Sequence, residues 1–534
     1  MNSVRILGRF PVAPVAAALC LSFSLCPLPG AWGGDGAVPV SERAPGRPGA
    51  ARILEGIERP AAASAVGAEG PVAISVEGAI LCALENNRSL KVERLNPQIQ
   101  MTQEEEEEAA FDPVLSGNVS LSREKDQERS RGSGTYDNRN NEREVGLGLS
   151  RFLPTGTEVS LDASTDRTWS DLYSNRHGTR VGLSVTQALL RGMGSGVNLA
   201  TLRQARLDTI VSRYELLGFA ESLVARVEST YWDYALARRR IEIFEESLAL
   251  AEDQLRDTRE MIEVGKLPEK EITAAEAEIA LRRQGLINAR STLETTRLRL
   301  LRLLSPPGPD PWEREIVLRD LPAVPDVMQD RVEGHVEVAL EQRPELHQAR
   351  FQIDRDELEI VKTKNGLLPK MDLFISLGET GYADSFGGTL RESDGEYYDM
   401  AVGITLAYPL GNREARARHR RALIRREQAE EALANLAQLV EVDVRSAFIE
   451  VERTREQIEA TRASRVLQDE KLQIESEKFR VGRSTMFLVA QAQRDLLSSR
   501  IAEVEVVVDY LKALVDLYRL EGSLLSRRGI SAAE

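Results

Sequence analysis

Two long stretches, residues 197–264 and 414–481, carry apolar positions at helical spacing in a helix-forming composition with no proline. At 1.5 Å per residue each predicts a rod of roughly 100 Å. Each is followed by a returning segment with a heptad seam. Leu497, Ile501, Val504, Val508, Leu511, Val515 and Tyr518 keep an unbroken 4-3 spacing. Ile272, Ala275, Ile279, Leu286, Ala289, Leu293, Leu300 and Leu303 form a second seam, with Arg282 and Thr296 in two core slots. Seams of this length need partner helices, because a lone rod would leave its apolar stripe bare.

Elsewhere the period changes to two. Val145, Leu147 and Leu149 alternate with Gly146, Gly148 and Ser150, and Val159, Leu161 and Ala163 alternate with Ser160 and Asp162. Val181, Leu183 and Val185 repeat the pattern, as do Met371, Leu373, Ile375 and Leu377, then Val402, Ile404 and Leu406. Aliphatics on one face with small or polar residues on the other predict strands of a barrel with a wet interior. Phe111, Phe152, Trp169, Tyr173, Phe386, Tyr397, Tyr398 and Tyr408 lie in or near these strands, where an interfacial aromatic girdle is expected. The polar stretches Arg123 to Arg143 and Asp384 to Glu396 read as irregular loops between strands.

The pattern occurs twice. Ala83-Leu84-Glu85 with Leu90 matches Ala339-Leu340-Glu341 with Leu346; Pro113 matches Pro369; Val119-Ser120-Leu121 matches Ile375-Ser376-Leu377. Val181-Gly182-Leu183-Ser184 with Leu189 matches Val402-Gly403-Ile404-Thr405 with Leu410, and Val264-Gly265-Lys266 matches Val481-Gly482-Arg483. The first blocks lie about 256 residues apart and the second about 221, so the first half holds roughly 35 extra residues. That surplus contains Leu153-Pro154-Thr155-Gly156-Thr157, a turn between two alternating runs, and predicts an additional hairpin. Four to six strands per chain are too few to close a barrel, which needs about eight. The pattern therefore demands an oligomer.

Residues 1–33 read as an export signal, with Arg5 and Arg9 before the apolar run Phe10 to Leu25. Residues 34–73 are rich in Ala, Pro and Gly without periodicity and read as a disordered linker. Residues 74–330 and 331–525 form the two repeats, and 526–534 a C-terminal tail. Cys20 and Cys26 each follow Leu, a poor context for lipidation, and after cleavage Cys82 is left alone without a disulfide partner. The net charge of −15 excludes the basic stripe that nucleic-acid binding requires. His177, His335, His347 and His419 are scattered with no ligand spacing, and no catalytic signature appears, so neither enzyme, cofactor nor metal is expected. The acidic run Glu104 to Glu108 reads as a solvated helix face. A periplasmic coiled-coil scaffold or adaptor without a pore would share the signal and heptads, but would not need strands at the same end of both rods.

The chain from about Ile74 to Leu525 resembles the TolC family of outer-membrane efflux proteins. The resemblance rests on Ala83-Leu84-Glu85-Asn86-Asn87, Phe111-Asp112-Pro113, Thr186-Gln187-Ala188-Leu189-Leu190-Arg191-Gly192 and Val197-Asn198-Leu199 in the first half. In the second half it rests on Arg343-Pro344-Glu345-Leu346, Pro409-Leu410-Gly411-Asn412 and Phe479-Arg480-Val481-Gly482-Arg483-Ser484. It implies a mostly α, partly β channel-tunnel: a homotrimer with a β-barrel in the outer-membrane lipid and a long α-helical tunnel in the periplasm. It also implies docking to a periplasmic adaptor linked to an inner-membrane pump. On this mapping Gly265, Lys266, Leu267, Gly482, Arg483 and Ser484 form the periplasmic tip, and Phe479, Phe487, Leu488 and Gln491 the entrance. The best-studied family member narrows its entrance with paired aspartates; the matching positions here are Leu488 and Gln491, and the resemblance with this departure predicts a hydrophobic constriction at Leu488 or Phe487.

Overall fold

The computed structural model describes residues 71–530, apart from 131–133, 171–175, 266, 308–309, 326–330 and 390–396. The expected signal and nearly all of the expected linker lie outside the described residues. Order starts slightly earlier than Ile74: β1 (Val72–Ile74) pairs in parallel with β6 (Ile316–Leu318). Three helices follow β1, namely α1 (Val76–Asn86), α2 (Arg88–Glu93) and α3 (Asn96–Glu108). Ser75 caps α1 through its side chain, which accepts from the Gly78 amide.

Four strands come next: β2 (Val114–Ser130), β3 (Gly134–Leu153), β4 (Thr157–Ser170) and β5 (Arg176–Ala188). The short α4 (Ser195–Asn198) leads into α5 (Ala200–Glu263), and α6 (Glu271–Leu304) returns. The second half has α7 (Val332–Gln342), α8 (Pro344–Asn365), β7 (Lys370–Ala383), α9 (Phe386–Thr389), β8 (Tyr398–Ala407), α10 (Arg413–Arg480), α11 (Met486–Glu521) and α12 (Leu524–Arg527). The 64 residues of α5 and 68 of α10 match the two proline-free stretches. At 1.5 Å per residue both are about 100 Å long.

One antiparallel sheet holds six strands in the order β2-β3-β4-β5-β7-β8, so β2 and β8 are its edges. Four strands come from the first half and two from the second, and the surplus is the β3–β4 hairpin. Its turn closes at Gly156, whose amide donates to the Leu153 carbonyl at 2.9 Å. Outside residues 131–133, which are not among those described, the stretch Arg123 to Arg143 is not an irregular loop. It continues the ladder, with Arg123 opposite Asn141 and Ser130 opposite Gly134. Backbone hydrogen bonds and cross-strand polar pairs, such as the Arg123 Nε donation to Asn141 at 3.0 Å, hold this extension without apolar side chains.

The helices form a layer continuous with the sheet. In its upper part α5 packs between α3 and α8, and α10 packs on the far side of α8; lower down α6 lies on α5 and α11 on α10. The main core lies where the short helices meet the rods, around Ile80, Leu84, Leu223, Tyr231, Leu300 and Leu346. Tyr231 Oη donates to the Ile74 carbonyl and accepts from the Asp320 amide, both at 3.2 Å. Most positions of the two heptad seams are buried, Arg282 and Thr296 in their core slots among them, while Ile272, Leu293, Leu303, Ile501 and Val504 are half-buried in the protomer. Residues 526–530 are packed on the rods: α12 crosses the 525/526 boundary, Ile530 is buried and Arg528 pairs with the buried Glu228.

Glu221 of α5 is 4 % exposed. Burial first, then the neighbouring Glu345, pushes its carboxyl from 4.5 up to about 8, against the pull of Arg519 and Arg343. The folded chain thus keeps a proton that the unfolded chain releases, and stability falls as pH rises from 4.5 to about 8. Glu221→Gln should remove that loss. Thermal unfolding of the two proteins should coincide near pH 4.5 and favour the variant increasingly toward pH 9.

Candidate functional site

Directly opposed residues in an antiparallel sheet share a face, so the register assigns each side chain a side. Leu115, Leu149, Leu161, Leu183, Leu377 and Met400 form one row across all six strands. Val159, Val185, Ile375 and Val402 form the next row. This face is bare in the protomer: Leu115 is 74 % exposed and Ile404 63 %.

The opposite face carries Ser116, Gly148, Asp162, Gly182, Gly378 and Asp399 in one row and Ser150, Ser160, Ser184, Ser376 and Ala401 in another. There the Arg180 guanidinium spans Asp162 at 3.3 Å and Asp399 at 2.7 Å. It lies over Gly378, where a Cβ would collide with both Asp399 and the guanidinium. Glu144, Glu158, Asp166 and Asp372 share this polar face, which is therefore predominantly acidic.

The aromatics divide differently from the expected girdle. Trp169 and Tyr398 lie on the aliphatic face, with the Arg143 and Arg167 guanidinium groups 5.1 and 5.3 Å from the Trp169 ring. Phe152, opposite Glu158, and Tyr382, opposite Gly178, lie on the polar face. Aromatic content alone does not reveal this; the one-residue parity of the register does. Tyr173 lies outside the described residues.

At the other end of the rods, α5 turns into α6 and α10 into α11. Gly265 and Gly482 have φ of 74° and 76°, a left-handed conformation that costs a residue with a Cβ about 1–2 kcal/mol. The Gly482 amide donates to the Phe479 carbonyl at 2.9 Å and the Arg483 amide to the Lys478 carbonyl at 2.8 Å. These are the two bonds of a Schellman helix end. The Gly265 amide donates to the Ile262 carbonyl at 2.9 Å. Lys266 lies outside the described residues. Leu267 packs against the tip core, Arg483 is exposed, and the Ser484 hydroxyl donates to Glu475 at 2.9 Å.

Of the four residues expected at the entrance, the structure separates one from the others. Phe479 is 2 % exposed and fills a small tip core with Ala275, Leu472, Met486, Val489, Ala492 and Leu496. Its side chain is therefore committed to packing rather than to an opening. Phe487, Leu488 and Gln491 are all exposed along one edge of α11. Above them Glu278, 2 % exposed, pairs with Arg282 at 2.5 Å and with Arg494 at 3.0 Å, joining α6 to α11. Glu278 was missed in the sequence, although an acid four residues before an arginine in a core slot is a legible signal.

Residues 150–305 and 336–523 match the model of the outer membrane efflux protein family, together well over half of the chain. The chain belongs to that family. A relative, outer membrane efflux protein BepC of Brucella suis biovar 1 (strain 1330), is 23 % identical over 355 residues, 66 % of this chain and 74 % of that protein. The fold resembles the outer-membrane channel OprN, with a TM-score of 0.65, 18 % identity and coverage of 84 % of this chain and 90 % of that one. It also resembles the CmeC outer membrane channel of Campylobacter jejuni, with a TM-score of 0.63, 17 % identity and coverage of 84 % and 86 %.

The efflux protein is thus a non-enzymatic outer-membrane channel component of a tripartite efflux or secretion system, extending from the outer membrane into the periplasm. Family membership implies an adaptor and an inner-membrane pump as its partners. Among the described residues no helix is long and apolar enough to cross a membrane.

The Gly482 turn has open space around the missing Cβ, so any cost of substitution there is conformational rather than steric. Gly482→Asn should preserve the helix end, because Asn tolerates left-handed backbone, whereas Gly482→Val should fray it. Hydrogen exchange over residues 475–490 should rise in the valine variant alone, with export lost but membrane insertion retained.

Proposed function

We propose that three copies of the efflux protein close one barrel and one helical tunnel, forming a passive conduit whose periplasmic tip docks the adaptor. The observation that carries this reading is the six-stranded sheet, open at both β2 and β8 and bare on its aliphatic face. An unpaired strand edge in hydrocarbon strands its amides and carbonyls without partners, and six strands fall short of the eight or so that a small barrel needs. Three copies at six strands each give an eighteen-stranded barrel, within the range of bacterial outer-membrane barrels. The aliphatic face then meets lipid and the acidic face lines the pore. The shared element order of the two halves supports an origin by duplication, which would give the three-chain tunnel approximate sixfold symmetry.

At the far end Gly265, Lys266, Leu267, Gly482, Arg483 and Ser484 present the adaptor-docking tip. Phe487 and Leu488, with Gln491 beside them, narrow the entrance as an apolar constriction. Their exposure in the protomer supports this assignment, and the burial of Phe479 removes that residue from it.

The protein extracted from outer membranes in mild detergent should have the mass of about three chains after correction for bound detergent. A water-soluble monomer or dimer would defeat the reading. In planar bilayers the channel should prefer cations, and Glu144→Gln with Asp166→Asn should weaken that preference. Phe487→Ala with Leu488→Ala should raise the conductance without changing its ion preference.

A further inference from the structure

The helical layer has open edges just as the sheet does. Its upper part runs α3-α5-α8-α10, so α3 and α10 are the outer helices, on the same sides as the edge strands β2 and β8. On α10, His419 contacts Thr363 of α8 at 3.2 Å and Arg426 pairs with Glu357 of α8 at 3.3 Å. That stripe faces inward, and helical spacing turns Arg413, Ala417, Arg420 and Ile424 to the open side, with Arg416 beside them. On α3, Glu104 faces α5 through Arg206 at 2.8 Å, which leaves Leu95, Ile99, Thr102 and Glu106 on the open side.

The two open stripes match in height and chemistry. α3 ends, and α10 begins, at the barrel. Counted from that junction at 1.5 Å per residue, Glu106 lies level with Arg413 and Arg416 within about 5 Å, and Thr102 level with Arg420 near 10 Å. Ile99 and Ile424 both lie about 15 Å down. Both isoleucines are 53 % exposed in the protomer. Arg413, Arg416 and Arg420, like Glu105 and Glu106, form no ion pair within the described residues of the protomer.

We propose that the acidic run of α3 docks against the arginine run of α10 of a second copy of the chain, a charged clasp above an apolar seam. The proposal rests on the trimer reading and deepens it. Acid facing base makes the contact heterologous, since two α10 edges or two α3 edges would repel each other. A heterologous contact repeats around a ring rather than ending in a two-fold dimer. Exposed ion pairs add little affinity, so the clasp sets partner edge and register while the seam and the β2–β8 pairing supply cohesion.

The test combines charge reversal with cross-linking in the full-length protein. Glu105→Lys with Glu106→Lys, and separately Arg416→Glu with Arg420→Glu, should each raise the concentration at half-assembly roughly tenfold in low salt. The four changes together should restore it, and about 1 M salt should shrink the effect of each pair. In outer membranes Glu106→Cys combined with Arg416→Cys should oxidise to ladders of two and three chains, whereas Glu106→Cys with Arg445→Cys, placed far lower on α10, should not. A wild-type trimer that ignores both reversals, or gives no 106–416 cross-link, overturns the clasp and leaves the trimer standing. A wild-type protein that is not trimeric overturns the trimer reading itself.

Discussion

A strand in hydrocarbon has no water for its backbone groups, so it must be paired along both edges. The rest of this molecule depends on that constraint. The sheet of the efflux protein satisfies it at β3, β4, β5 and β7 and leaves it unsatisfied at β2 and β8. Among the described residues no strand pairs with those two edges, and the helices that continue from them, α3 and α10, are likewise the outer members of their layer. Sheet and tunnel are therefore incomplete in the same direction. In the proposed assembly one operation, the addition of further copies, completes both.

Joining a sheet of period two to helices of period 3.6 requires abrupt ends. Asn412 and Gly194 supply them, both at positive φ between strand and rod. Within the sheet the two faces are kept apart by parity alone. A slip of one residue would carry Leu183 onto the acidic face and Asp162 onto the aliphatic one. Arg180, held between Asp162 and Asp399, lies over Gly378, and the Asp162 carboxylate lies over Gly182, so a slip would set both side chains against residues with a Cβ. The polar face thereby helps to specify the position of the apolar one.

How much was legible depended on whether a signal was local. The rods were read to within a few residues because a proline-free run reports on itself, and the Arg282 and Thr296 slots were placed by simple counting. The extra hairpin followed from the difference between two repeat spacings. The extension of β2 and β3 past Arg123 was not legible, since a polar strand held by backbone pairing looks like a loop to any hydrophobic pattern. The burial of Phe479 was not legible for a related reason. It stands between Lys478 and Arg480, and among the residues that bury it Ala275 comes from α6 and Met486 from α11. Glu104 to Glu108 read as a solvated face, and Glu105 to Glu108 are exposed in the protomer; a single sequence shows that a helix is charged, but not that the helix is the last in its layer.

The distribution of apolar packing has a consequence for the tunnel. One core lies near the middle of the rods and a second, much smaller, at the tip. Between them the rods are joined by isolated buried residues such as Ile243, Ala251 and Leu286, and by ion pairs: Arg500 with Glu246, Arg283 with Glu252, Arg465 with Glu503. Partly exposed pairs of this kind contribute about 0–1 kcal/mol each and tolerate changes of geometry. Cohesion within the protomer is therefore concentrated at these two cores and is weakest over the stretch between them. The tip, with its own core, its Schellman turn and the Glu278 bridge from α6 to α11, holds together as a local unit whose connection to the upper tunnel is softer than its interior.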